Sequence, residues 1–252
     1  MTEDCRTHQV ILFDIDGTLI FTGGAGGRAM SRAFRTVYHV DDGLAAVPMA
    51  GRTDAVILRD AMARHGVEPT EGLLGEFRAT YFHCLSEELA HVPPTARIMP
   101  GVVALLGALA ARRATTTALL TGNFSDTARL KLERFGLWHW FAFGAFGEDA
   151  PERAALVPVA IDRARRLSCA PVQPSDVVVI GDTPLDVACG RVNGARTIGV
   201  ATGDTAVAAL TSAGADAALA DLSDAAGVLT LLDGFARRGG GQAGTGHDGR
   251  SA

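Results

Sequence analysis

A chain of 252 residues, 48% hydrophobic and 20% charged, holds enough apolar material for a sizeable core, arranged as one large domain or as a domain carrying an insertion. Its net charge of −5 and pI near 5.8, with no run rich in Lys or Arg, exclude the electrostatic footprint of a nucleic-acid or anionic-membrane binder. An anionic small molecule would have to be held by a few local cations and a metal.

Residues 1–9 are polar and lack the apolar stretch of a signal peptide. Val10 to Phe13 is a short aliphatic run that reads as a buried parallel strand. Residues 22–95 then show helical faces and no strand: Met30, Ala33, Phe34 and Val37; Ile57, Leu58, Ala61 and Met62; Leu73, Leu74, Phe77 and Tyr81. Gly23 to Gly27 and the Pro93-Pro94 pair would be hinges of this insertion. Val102 to Ala111 is apolar but too short to cross a membrane. Strands follow at Thr116 to Leu120, Val177 to Ile180 and Thr197 to Val200. Between them Val102, Leu105, Leu106 and Leu109 share one helix face, and Leu156, Val157, Ala160, Ile161, Ala164 and Leu167 share another. Strand alternating with helix predicts an α/β fold, a Rossmann-like three-layer core with a parallel sheet. The core is expected over 1–21 and 96–236, an inserted α-helical domain over 22–95, and a disordered tail over 237–252. Cys5, Cys84, Cys169 and Cys189 are widely spaced and form no C-x-x-C pair, so four reduced thiols of a cytoplasmic protein are expected. The oligomeric state has no signature in the sequence.

Ligands of an open parallel sheet bind beyond the carboxyl ends of its strands. Three of those ends carry Asp14 and Asp16, Thr121, and Asp182. Singly, each reads as a turn or cap residue; together they suggest a site. Asp14 and Asp16 are two residues apart at a strand exit, where a divalent cation would offset their repulsion, and a hard oxygen site suits Mg²⁺. Gly17 permits the turn that follows.

Phe13-Asp14-Ile15-Asp16-Gly17-Thr18-Leu19 resembles the first motif of the haloacid dehalogenase superfamily. Leu120-Thr121-Gly122-Asn123 resembles its second motif, and Gly181-Asp182-Thr183-Pro184-Leu185-Asp186 its fourth. The match spans Val10 to about Gly203 and is nearest to the phosphoglycolate phosphatase-like members. The resemblance implies that Asp14 attacks phosphorus to form an aspartyl-phosphate. It further implies that Asp16 protonates the leaving group and then activates water, while its backbone carbonyl binds Mg²⁺. Thr121, Gly122 and Asn123 would hold phosphate oxygens, and Asp182 would be a metal ligand. Asp186 would be a ligand or second-sphere residue, or equally a helix-start acid.

The superfamily's third motif is usually a lysine, and none stands near Gly147 to Arg153. Arg153, ahead of the Leu156 helix, is the substitute; Lys131 is the competitor, expected as a solvated helix lysine. In the insertion, Arg52 is a candidate for a second anionic group of the substrate, with Thr53 or Asp54 as a helix cap the plainer reading. Trp138 and Trp140 are expected to pack.

The expected function is Mg²⁺-dependent hydrolysis of a small phosphorylated metabolite. A phosphomutase uses almost the same residues. A dehalogenase is disfavoured by Asp16, and a phosphonate hydrolase by the absence of lysine in 22–95. The remaining alternative, a catalytically silent binding protein, would retain the fold alone.

Overall fold

The computed structural model describes residues 8–150, 152–168 and 171–239. The chain opens with β1 (Gln9–Phe13), every residue of which is buried. A short β2 (Ile20–Phe21) leads into three helices, α1 (Ala25–Tyr38), α2 (Asp54–Arg64) and α3 (Glu71–Ala90), and β3 (Arg97–Ile98) leads out. There follow α4 (Val102–Ala110), β4 (Thr115–Leu120), α5 (Ser125–Arg134), β5 (Gly144–Ala145), α6 (Leu156–Leu167) and β6 (Val177–Gly181). The chain closes with α7 (Pro184–Val192), β7 (Arg196–Val200), α8 (Val207–Ser212), β8 (Ala217–Leu219) and α9 (Ala225–Gly239).

Six strands form one sheet in the order β5-β4-β1-β6-β7-β8, and every neighbouring pair runs parallel. The expected α/β core is thus present. Side chains alternate across the sheet with the two-residue strand period. Ile11 and Phe13 of β1 pack on one face with Leu105 and Leu109 of α4 and Leu232 of α9. Val10 and Leu12 pack on the other with Val157, Ala160 and Ile161 of α6. Each such aliphatic side chain taken out of water contributes roughly 1.5–3 kcal/mol, so both faces need their helix layer. Trp138 and Trp140 pack, partly buried, against the first face.

The strands β5 and β8 were not anticipated. They have two and three residues, too short for a periodicity to develop. β2 and β3 pair antiparallel at the two ends of the helical stretch.

The helices α1 to α3 build their own apolar cluster around Met30, Phe34, Leu58, Phe77, Tyr81 and Leu85. Thr53 caps α2 by accepting a hydrogen bond from the Val56 amide, and Thr70 caps α3 from Leu73. Of the expected faces, Leu74 and Leu167 depart: Leu74 is exposed in the first turn of α3 and Leu167 at the last residue of α6. Helix α9 continues past Arg237 to Gly239, and residues 240–252 of the expected tail lie outside the described residues. Cys84 and Cys189 are free and buried; Cys5 and Cys169 lie outside the described residues. Among these, no helix is long and apolar enough to cross a membrane.

Candidate active site

Strand order places the site. β1 sits between β4 and β6, and the chain reaches one by way of the helical stretch and the other after crossing the sheet. The carboxyl ends of these three strands therefore open a crevice at a topological switch point. Asp14, Thr121 and Asp182 are the residues immediately beyond those ends, all of them buried. They line a cleft of about 560 Å³ whose far wall comes from α1, α2 and α3, through Met30, Ile57 and Tyr81 among others.

The turn after β1 is tight. Gly17 has φ +82°, and a Cβ there would stand 2.4 Å from the Asp182 carboxylate, so both conformation and space require glycine. Thr18 donates to Asp182 Oδ1 at 3.2 Å. Thr202, at the end of β7, donates to the Gly17 carbonyl at 2.5 Å.

Asp14, Asp182 and Asp186 each bring a carboxylate oxygen within 4.8 Å of the others. Burial pushes the Asp14 carboxyl up to about 6, against the opposing pull of Arg153. Burial, with the charges of Asp14 and Asp186, pushes Asp182 up to about 8. Asp186 serves as the third residue of a capping box on α7: its Oδ2 accepts from the Thr183 amide and hydroxyl at 3.0 and 2.6 Å. The helix-start role of Asp186 is thus realised, and its Oδ1 is still turned to the site.

Arg153 is 8% exposed and reaches Asp14 Oδ1 at 2.8 Å and Asp186 Oδ1 at 2.5 Å through one guanidinium nitrogen. Burial opposes its charge, but the carboxylates of Asp14 and Asp186 outweigh that and hold its pKa above the ordinary arginine range. One guanidinium cannot neutralise three buried carboxylates, and burial together with this surplus of negative charge raises the carboxyls of Asp14 and Asp182. Hard oxygen donors with excess negative charge fit a divalent cation.

Lys131 corrects the sequence reading. It is 3% exposed, and its ammonium donates to Asp16 Oδ2 and to Asn123 Oδ1, both at 2.6 Å. The helical stretch covers it: Lys131 Nζ lies 3.1 Å from the position a Cβ would take at Gly26 of α1. Asn123 donates in turn to Asp16 Oδ2 at 2.9 Å and Thr121 Oγ1 at 2.8 Å. Both basic candidates are therefore at the site, Arg153 against Asp14 and Lys131 against Asp16.

The segment 51–54 docks on the loop after β4. The Asp54 amide donates to the Gly122 carbonyl at 2.7 Å, and Asp54 Oδ2 accepts from the Phe124 amide at 3.0 Å. Burial pushes the Asp54 carboxyl up to about 7, moderated by Lys131 and by the Phe124 hydrogen bond. Arg52 lines the cleft, but its guanidinium is engaged by Asp60 and by the Pro48 carbonyl. Thr18, Asp54 and Thr202 were missed as site residues. Thr202 carried a signal in its place just after a strand, and Thr18 in its place within the first motif; Asp54 depends on contacts with distant segments.

Residues 11–191 match the haloacid dehalogenase-like hydrolase family model. The chain belongs to the haloacid dehalogenase-like hydrolases. It is similar to a phosphoglycolate phosphatase of Rhodospirillum rubrum, with 27% identity over 196 residues that cover 74% of this chain and 76% of that protein. Among solved structures, its fold is shared by a hydrolase from Pseudomonas syringae, with TM-score 0.65 and 20% identity over 90% of this chain and 98% of the other. It is also shared by CbbY from Rhodobacter sphaeroides, solved in complex with phosphate, with TM-score 0.65 and 18% identity over 86% and 96%. These likenesses extend through the helical stretch as well as the sheet and show the shared fold; the family match over residues 11–191 makes this protein a hydrolase.

Proposed function

We propose that this hydrolase is a Mg²⁺-dependent phosphatase acting on a small phosphorylated metabolite through an aspartyl-phosphate on Asp14. The observation that carries the reading is the meeting of Asp14, Thr121 and Asp182 at three adjacent strand ends, with Arg153 bridging Asp14 and Asp186. Arg153 holds the Asp14 carboxylate ionised and oriented, so that one oxygen is free to bond to phosphorus as the ester oxygen leaves. Asp16 supplies the leaving oxygen with a proton and later takes one from water. Thr121, Gly122 and Asn123 hold the phosphoryl oxygens with the Thr121 hydroxyl and the backbone N–H groups of Gly122 and Asn123. Asp14, Asp182 and Asp186, with the Asp16 carbonyl, would hold the Mg²⁺ ion, which supplies charge neutralisation for the phosphoryl group.

The helices of 22–95 act in this reading as a cap domain over a core of 1–21 and 96–236, excluding water while phosphorus is transferred. Arg52 faces the leaving group from that cap. A phosphomutase would need a cation for a second phosphate. Arg52 is already engaged by Asp60, which favours hydrolysis.

The test is release of p-nitrophenolate from p-nitrophenyl phosphate with Mg²⁺. Activity is expected to vanish with EDTA and in Asp14→Asn. Full activity in Asp14→Asn removes the covalent mechanism, and activity indifferent to EDTA removes the metal.

A further inference from the structure

Asp16 must move protons, yet it is the most exposed acid of the group, its side chain 44% accessible. A free carboxylate at that exposure samples several rotamers, and proton transfer needs one of them. The structure supplies a restraint. Asp16 Oδ2 accepts from Lys131 Nζ at 2.6 Å and from Asn123 Nδ2 at 2.9 Å. Asn123 is itself oriented, because its Oδ1 accepts from the same ammonium at 2.6 Å and its Nδ2 donates to Thr121 Oγ1 at 2.8 Å. Among the described residues Asp16 Oδ1 has no hydrogen-bond partner, and Asp16 lines the cleft.

Lys131 is an improbable place for a cation unless it is used. It is 3% exposed, and a buried ammonium is costly without paired acceptors. Its position is enclosed by α1 at Gly26, and the Asp54 carboxylate of α2 is near enough to feel its charge. A surface helix lysine would need none of this.

We propose that Lys131 is the positioning residue for Asp16: with Asn123 it pins Oδ2 and leaves Oδ1 as the oxygen that exchanges protons with leaving group and water. This inference rests on the phosphatase reading above and adds a residue outside the three motifs. In the second half-reaction a water oxygen bonds to phosphorus and its proton passes to Asp16 Oδ1. The bond from phosphorus to Asp14 breaks, its electron pair returning to the Asp14 carboxylate, and phosphate departs.

Pre-steady-state hydrolysis of p-nitrophenyl phosphate separates the two steps, because p-nitrophenolate leaves without needing a proton. Lys131→Met is expected to give a stoichiometric burst of p-nitrophenolate at near wild-type rate. Its turnover should then fall by ~100-fold, the scale of a lost acid–base contribution. Lys131→Arg, which keeps the charge, is expected to recover part of that turnover and serves as the folded comparison should Lys131→Met be unstable. Parallel loss of burst and turnover in both variants, tracking a lower Tm, would make Lys131 structural and overturn the proposal. Unchanged turnover in Lys131→Met would overturn it as well. Wild-type protein that releases no p-nitrophenolate would instead remove the phosphatase reading itself.

Discussion

Replacing Arg153 by methionine removes the cation that lies between two buried carboxylates while keeping a long, buried, unbranched side chain. The guanidinium is 2.8 Å from Asp14 and 2.5 Å from Asp186, and the side chains are 7%, 7% and 2% exposed. Breaking a buried pair costs about 3–5 kcal/mol, because the charge left behind has lost its partner and cannot regain water. For a chain of this size that corresponds to a fall in Tm of roughly 6–20 °C. Part of the loss should be recovered on acidification, since Asp14, its carboxyl already raised to about 6, can then be neutralised by protonation. Part should be recovered at neutral pH by Mg²⁺, which in the proposed mechanism would bind the folded state through the same carboxylates. The assay is thermal unfolding of Arg153→Met and wild type with EDTA and with Mg²⁺, together with p-nitrophenyl phosphate turnover. Mg²⁺ should raise the Tm of Arg153→Met by more than it raises that of wild type, while turnover is lost. A Tm within 2 °C of wild type in EDTA, by the same per-kcal conversion, would refute the electrostatic account of the site.

Three other expectations follow from single contacts. Asp54 is buried with its carboxyl raised to about 7, so its ionisation opposes folding. That penalty is absent below the ordinary aspartate range, grows as pH rises through it, and is complete above about 7. Asp54→Asn should therefore be more stable than wild type at pH 8, by at most ~4 kcal/mol. The gap should close toward pH 4; a constant gap in urea unfolding across that range would contradict the burial argument. Gly122→Ala places a Cβ 2.1 Å from the Arg52 carbonyl, a clash of backbone with backbone. It should displace segment 51–54, lower Tm, and raise KM; normal kinetics would show that this contact is dispensable. Leu105→Ala, in the core beneath the sheet, should cost about 2–5 kcal/mol in denaturant unfolding.

The sequence alone carried the sheet and the acids on it. Runs such as Val10–Phe13 and Val177–Ile180 can be satisfied only between two helix layers, and the residue that ends a buried strand must lie at its mouth. Asp14, Thr121 and Asp182 were legible for that reason, without knowledge of any long-range contact. The strands β5 and β8 were not, because two or three residues carry no period.

Arg153 was legible as the substitute for the third-motif lysine, but what each cation meets belonged to the tertiary structure. A lysine on a helix reads as solvated until something covers it, and what covers Lys131 is α1, more than a hundred residues away in the chain. Likewise Arg153 finds Asp14 and Asp186 only once β1, β4 and β6 lie side by side. Residue order placed the carboxylates at strand ends; packing of distant segments chose which positive charges would meet them, because burial of a charge depends on everything that surrounds it.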